Sequence, residues 1–230
     1  MRSMPSRAVA TKVCLVALFA AAMAYVEAAA VVYLREAYGI EDILRDLPRE
    51  ADRLTAIELG REAATLVMLA CVGAIAGTRL QDRCGYFVLA FGAWDIAYYG
   101  WLVLFEGWPT SLLDWDILFL LPLPWWGPVL APTAIAAMMC VGGAAAVVSA
   151  EREIAWRLTR TNVAIAAAGI AVVLYTFMAD AIAAMPDGAD AVNEVRPSDF
   201  QWALFLLGFM VMSWAGLRVT WPGRSRLLRT

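Results

Sequence analysis

Residues 13–34 read VCLVALFAAAMAYVEAAAVVYL, an apolar run whose only charged residue is Glu27. About 20 such residues are enough to cross a bilayer as a helix, so the run predicts a membrane-spanning segment. A carboxylate inside a membrane helix costs on the order of 2.5–3.5 kcal/mol on insertion scales. The chain therefore needs a partner, a proton or a functional reason for Glu27.

The whole composition agrees with a membrane protein. The 230 residues are 62% hydrophobic, and the mean hydropathy is +0.67, whereas soluble domains are about 45–50% apolar. The apolar runs are continuous, which favours helices over the alternating strands of a barrel. We expect an all-α, polytopic bundle forming a single domain over residues 1–230. Its six transmembrane helices are predicted at about 8–34, 55–80, 85–105, 128–150, 161–184 and 200–221.

Charge asymmetry predicts the orientation. Lys and Arg are enriched in cytoplasmic segments of membrane proteins. With the N-terminus inside, twelve of the 18 Lys/Arg residues fall on the inner side and five on the outer side, whereas 13 of the 21 acids fall outside. We expect both termini in the cytoplasm, in a bacterial-type inner membrane. The basic C-terminal tail would meet anionic headgroups, and the acidic outer face would attract cations.

Two outer segments are more than connectors. In residues 36–48, apolar side chains at Ile40, Ile43, Leu44 and Leu47 follow helical spacing, which predicts an amphipathic helix in the interface. Residues 112–126 are apolar but too short to cross, and their prolines oppose a helix. We expect this lid segment to re-enter the membrane or lie on it, with Trp125 and Trp126 anchored at headgroup level.

The chain contains no histidine, which excludes histidine-ligated haem, His-based metal sites and Ser-His-Asp catalysis. The four cysteines are scattered, which argues against a disulfide framework. The sequence also has no phosphate-binding loop and no basic patch for nucleic acid. Acid–base or metal chemistry would have to use carboxylates, and these suit Mg²⁺, Mn²⁺, Ca²⁺, iron or a proton.

Five acids and one arginine lie inside the predicted spans: Glu27, Glu58, Arg61, Glu62, Asp95 and Asp180. All five acids fall in the outer halves of their helices or near the membrane centre, below the lid acids Asp114 and Asp116. We expect an outward-facing pocket between the first, second, third and fifth helices. Glu27, Glu58, Glu62 and Asp95 are its candidate metal or proton ligands, and Glu58, Arg61, Glu62 and Asp95 its candidate catalytic groups.

Helical spacing predicts two local contacts within this group. Arg61 follows Glu58 by three residues, which makes them the natural ion pair of the second helix. Tyr98 and Tyr99 follow Asp95 by three and four residues, so their phenols lie on the same helix face and can hydrogen-bond a carboxylate or a substrate.

Three functions remain open from the sequence. The chain could bind or pass a cation or proton, although the inner halves of the spans carry no acids that would line an exit. It could be a membrane-embedded enzyme in which the same acids hold a divalent metal against a lipid-like or small substrate. It could also be an accessory subunit of a larger membrane complex, or a homo-oligomer, in which the charges only fix the structure.

Overall fold

The computed structural model describes residues 6–40, 53–120, 122–156, 158–197 and 199–220. Six of its helices are long and apolar enough to cross a membrane, as predicted and as an integral membrane protein requires. They are α1 (Arg7–Tyr38), α2 (Arg53–Ala76), α3 (Leu80–Glu106), α4 (Leu130–Glu151), α5 (Arg160–Ala184) and α7 (Trp202–Thr220). A 3-10 turn (Met185–Asp187) and the short helix α6 (Ala189–Glu194) connect α5 to α7.

Local chemistry sets several helix ends. Ser6 caps α1, since its hydroxyl accepts a hydrogen bond from the Val9 amide, and Gly39 closes the same helix in the left-handed conformation that glycine adopts without strain. The cap of α5 is Thr159, whose hydroxyl accepts from the Asn162 amide. The sequence had suggested a helix start at 161, so α5 begins one residue earlier than expected.

The lid segment corrects the all-α expectation. It forms an antiparallel hairpin of β1 (Trp115–Phe119) and β2 (Trp125–Pro128), in which Asp116 faces Gly127. Pro122 and Pro124 fall between the strands, where a missing amide breaks no ladder hydrogen bond. Pro128 ends β2 instead of opening α4, and α4 begins at Leu130. Whether the hairpin enters the bilayer stays a prediction.

The helices pack around α3, which contacts α1, α2 and α4, while α5 pairs with α7. Glycines allow the closest crossings. A Cβ on Gly143 of α4 would lie 2.5 Å from the Gly85 carbonyl oxygen of α3, and one on Gly169 of α5 would lie 2.9 Å from the Gly208 carbonyl oxygen of α7. The small residues at these crossings therefore serve packing within the chain.

Successive long helices run in opposite directions, so the ends of different helices meet at each end of the bundle. The hairpin lies at one of these two ends. This hairpin end collects the C-terminal ends of α1 and α3 and the N-terminal ends of α2 and α4, as the Arg35–Glu106 ion pair and the Glu62–Leu120 hydrogen bonds show. At the opposite end the Ser6 amide donates to Glu151, 3.0 Å away. Residues 41–48 of the amphipathic helix predicted over residues 36–48 lie outside the described residues, as does the basic tail at 221–230.

We predict that Gly143→Ala destabilises the bundle by about 1–3 kcal/mol, because its methyl group would overlap the backbone of α3. The free energy of unfolding, measured by SDS titration in mixed micelles, checks this. Gly142→Ala is the matched control, since a Cβ there meets nothing within 4 Å. Equal stability of the two variants would contradict the close α3–α4 crossing.

Candidate intramembrane carboxylate site

The predicted acids of α1, α2 and α3 meet at the hairpin end of the bundle. Glu27, Glu62 and Asp116 are all buried. The fifth helix does not form the fourth side of the site, because α5 packs against α7 and β2. The hairpin contacts the first three long helices instead, through Arg35 of α1, Glu62 of α2 and Tyr99 of α3. The pocket predicted between helices 1, 2, 3 and 5 is therefore a site between α1, α2, α3 and the hairpin.

Arg61 is the centre of an ion-pair network that joins α1 to α2. Its guanidinium pairs with Glu27 across the two helices and with Glu58 on its own helix, where Nε donates to Glu58 Oε2 at 2.9 Å. The Thr65 hydroxyl donates to Glu27 Oε1 at 2.7 Å. The predicted Glu58–Arg61 pair is confirmed, and Glu27 has two partners inside the bundle.

Glu62 connects α2 to the hairpin. Its carboxylate oxygens accept from the Leu120 amide at 3.1 and 3.2 Å. Leu120 follows the last residue of β1, just before the proline-containing tip, and the strand register shifts between Ile117 and Phe119. An amide in such an irregular position needs an acceptor when it is buried. Glu62 supplies one and holds the hairpin against α2.

Asp116 is the buried acid of the hairpin. Its Oδ2 accepts from the Tyr99 hydroxyl at 3.1 Å, and its Oδ1 lies 3.9 Å from Arg35 Nη2. Burial raises the pKa of Asp116 to about 6, although Arg35, the Tyr99 hydroxyl and the Ile117 amide act to lower it. The prediction that a tyrosine of this face binds a carboxylate is thus supported, with Asp116 as the acceptor.

Asp95 lies one helical turn before Tyr99 on α3. Its Oδ2 is fully buried and has no hydrogen-bond partner among the described residues. Asp116 acts on it as a negative charge, and Tyr99, one turn later on the same helix, donates its hydroxyl to Asp116. Buried polar atoms are almost always paired, so the unpaired carboxyl oxygen of Asp95 points to a proton or a ligand.

Tyr98 connects this acid pair electrostatically to the arginine network. Asp116 and Arg35 act on it from the hairpin side, and Arg61 and Glu58 act on it from α2. The aromatic ring of Tyr98 also stacks on Trp94, with centroids 6.1 Å apart. The residues predicted as a site therefore form two neighbouring groups around one tyrosine.

Three predicted lid residues have structural contacts instead. Asp114 accepts hydrogen bonds from the Thr110 and Ser111 amides at 2.7 and 3.1 Å and from the Thr110 hydroxyl. These bonds outweigh partial desolvation and lower the pKa of Asp114. Trp126 is buried in the protein, so its ring is not exposed as a headgroup anchor would be. Trp125 is half-buried and stacks on Phe177, and its anchoring at headgroup level stays a prediction.

Metal binding by Glu27, Glu58, Glu62 and Asp95 stays a prediction. Within the ranges that the structure describes, no group of three or more His, Cys, Asp or Glu residues could hold a metal ion. Glu27 and Glu58 instead share Arg61, and Glu62 is bound to the Leu120 amide. The cation that compensates Glu27 and Glu58 is thus a side chain of the protein.

Sequence reasoning missed Arg35, Glu106, Trp108 and Thr65. Arg35 lies in the last turn of α1 and Glu106 ends α3, and their ion pair is 2.7 Å long. Their opposite charges at matching helix ends were a signal for this pair. The stacking of Arg35 on Trp108, 4.4 Å from the ring centroid, depends on the chain path after α3 and had no local signature.

The chemistry of the site has to be inferred from its own side chains, because comparison with family models, curated proteins and solved structures finds no match for this chain. The Glu27–Arg61–Glu58 network carries a fixed cation and holds two helices together. The Asp95–Tyr99–Asp116 group carries the buried carboxyl of Asp116, the half-buried Asp95 with its buried Oδ2, and a phenol. Such groups can hold and exchange a proton.

We predict that Arg61→Met lowers the free energy of unfolding by about 3–5 kcal/mol, because it leaves Glu27 and Glu58 without their cation in a buried position. Adding Glu27→Gln and Glu58→Gln should restore most of the loss, since the remaining charges are then removed. SDS titration in mixed micelles measures both effects.

The control for this series is Arg79→Met at the opposite end of the bundle, where the arginine side chain is 59% exposed and its ion pair is worth at most about 1 kcal/mol. An Arg61→Met variant as stable as this control would refute the network. So would a triple variant that regains none of the lost stability.

Proposed function

We propose that this protein binds a proton on the pair formed by Asp95 of α3 and Asp116 of the hairpin. The observation that carries the proposal is the fully buried Oδ2 of Asp95, which has no hydrogen-bond partner among the described residues and lies one helical turn from Tyr99, whose hydroxyl donates to the buried Asp116. One proton shared between the two acids removes the repulsion and gives the unpaired oxygen its hydrogen.

The physical basis is the cost of two negative charges in a medium of low dielectric constant. Two neighbouring carboxyls in such a site do not both ionise, and one retains its proton. Asp116 has Arg35 and the Tyr99 hydroxyl to stabilise its charge, whereas Asp95 Oδ2 has no such donor. In the resting state the proton is therefore on Asp95 and the negative charge on Asp116.

Protons reach the pair from the hairpin end. Asp116 belongs to the hairpin, and Asp95 lies deeper along α3. A proton that passes from Asp116 to Asp95 therefore moves from the hairpin toward the interior of the helix bundle. The remaining acids inside the spans also lie toward this end, and the acids in the inner halves of the six helices are confined to the terminal turns, as Asp82 of α3 and Glu151 of α4. This distribution favours binding and release from one side over a continuous path across the bilayer.

A second candidate is an accessory subunit whose charges only lock helices together. The specific observation in its favour is that Arg61 pairs with both Glu27 and Glu58, which makes that half of the site structural. Under this hypothesis Asp95 could be replaced by asparagine without a functional change. An enzyme with a carboxylate-bound metal is less well supported, because three of its four proposed ligands have protein partners.

We also propose that the hairpin end faces out of the cytoplasm in a bacterial-type inner membrane, as the distribution of Lys and Arg suggests. Leu113 and Leu158 are 60% and 68% exposed and lie at opposite ends of the bundle. In a chain without its native cysteines, Leu113→Cys should react with a membrane-impermeant maleimide in intact cells, and Leu158→Cys only after lysis. The reverse labelling would contradict this orientation.

Infrared spectroscopy of the purified protein tests the proton site. We expect a carboxylic acid C=O band at neutral pH that disappears in Asp95→Asn. A second component should grow as the pH falls through about 6, the pKa of Asp116, and disappear in Asp116→Asn. The sign follows because a carboxyl gains its proton, and its C=O band, below its pKa.

The control is Asp114→Asn, which replaces an acid of the same segment that is bound in an exposed turn. It should leave both components unchanged. A neutral-pH spectrum without a protonated carboxyl, or one that Asp95→Asn leaves intact, would refute the proton site and favour the accessory subunit.

A further inference from the structure

We infer that Arg35 is a positioning residue that decides which of the two acids holds the shared proton. This inference rests on the proposed function and adds a residue that the intramembrane charges alone do not reveal. Arg35 lies in the last turn of α1, at the rim of the site, and contacts Asp116 but not the reacting proton.

Three elements fix the guanidinium of Arg35. Its Nη1 lies 2.7 Å from Glu106 Oε2 at the end of α3, and its Nη2 lies 3.9 Å from Asp116 Oδ1 in β1. Its Cζ lies over the Trp108 ring, 4.4 Å from the centroid. The planar, permanently charged guanidinium suits such a combination of stacking and ion pairing. The side chain is only 13% exposed, which limits screening by water.

The contact with Glu106 is the stronger of the two ion pairs that Arg35 makes, and it fixes the position of the Arg35 charge. At 2.7 Å it is a short, charge-assisted hydrogen bond, whereas the 3.9 Å approach to Asp116 is an ion pair without a hydrogen bond. Arg35 is thus held by Glu106 and Trp108 and acts on Asp116 through its field. An opposite charge at this distance favours the ionised form of the acid.

Among the charged groups around Asp116, Arg35 is the one that supplies a stabilising positive charge. The titratable or charged side chains that face Asp116 or its neighbours are Asp95, Tyr98 and Tyr99 on α3, Glu58, Arg61 and Glu62 on α2, and Glu106 through Arg35. Arg61 is already shared by Glu27 and Glu58. Tyr99 donates a neutral hydrogen bond to Asp116, so Arg35 supplies the positive charge.

A charge on Asp116 in turn controls Asp95. While Arg35 keeps Asp116 ionised, the repulsion between the acids keeps the proton on Asp95, the deeper carboxyl. Without Arg35, Asp116 loses its stabilising cation and competes for the proton. The balance between the two acids should therefore shift toward a protonated Asp116.

The test is an infrared pH titration of Arg35→Gln in the full-length protein. We expect the pH midpoint of the Asp116 band, identified by its loss on adding Asp116→Asn, to rise by about 1–3 units. Arg35→Lys should give an intermediate midpoint, because it keeps the charge but cannot stack and bridge as a planar fork. This variant also provides the measurement if Arg35→Gln does not fold.

Arg218→Gln is the matched control, since Arg218 also stacks on a tryptophan, 4.6 Å from the Trp214 ring centroid, but lies on α7 away from the acids. It should leave the midpoint unchanged. An unchanged midpoint in folded Arg35→Gln, or in Arg35→Lys where the first variant fails to fold, would overturn the role of Arg35 while the proton site itself stands. A wild-type protein without a protonated carboxyl would instead refute the proposed function.

Discussion

The fold depends on how the protein compensates carboxylates that it places among apolar helices. Glu27 lies inside α1, where an isolated negative charge would cost several kcal/mol. Arg61 of α2 pairs with it, and Thr65 one turn later donates a hydrogen bond to the same carboxylate. Because these contacts cross from one helix to the next, charge compensation also fixes the relative height of α1 and α2. Glu58 shares the arginine, so two acids are held by one cation.

The hairpin completes this end of the bundle through the remaining polar groups. Glu62 accepts from the Leu120 amide, and Asp116 accepts from Tyr99 of α3. Each contact joins the hairpin to a different helix, and Phe177 of α5 stacks on Trp125. The hairpin is therefore held both by polar contacts to α2 and α3 and by an aromatic contact to α5. Beneath it, Asp95 is the acid whose Oδ2 has no hydrogen-bond partner within the described part of the chain.

Sequence patterns predicted those parts of the structure that depend on local periodicity. Continuous apolar runs gave the six helices, and three-residue spacing gave the Glu58–Arg61 pair. Contacts between distant segments were harder. The prolines at 122 and 124 excluded a helix, but strand pairing between residues 115–119 and 125–128 depends on packing against several helices. For the same reason Trp126 was expected at a lipid surface and lies in the core, and the link from Arg35 to Asp116 was not anticipated.

The most direct test of the shared proton is to count it. A potentiometric titration between pH 5 and 9 compares the wild-type protein with the Asp95→Asn/Asp116→Asn double variant in the same detergent. If the two acids hold a proton at neutral pH and gain a second below the pKa of Asp116, about 6, the wild type should bind more protons than the variant at the acidic end of this range. Identical titration curves would show that neither acid exchanges a proton, and would contradict the account of the site.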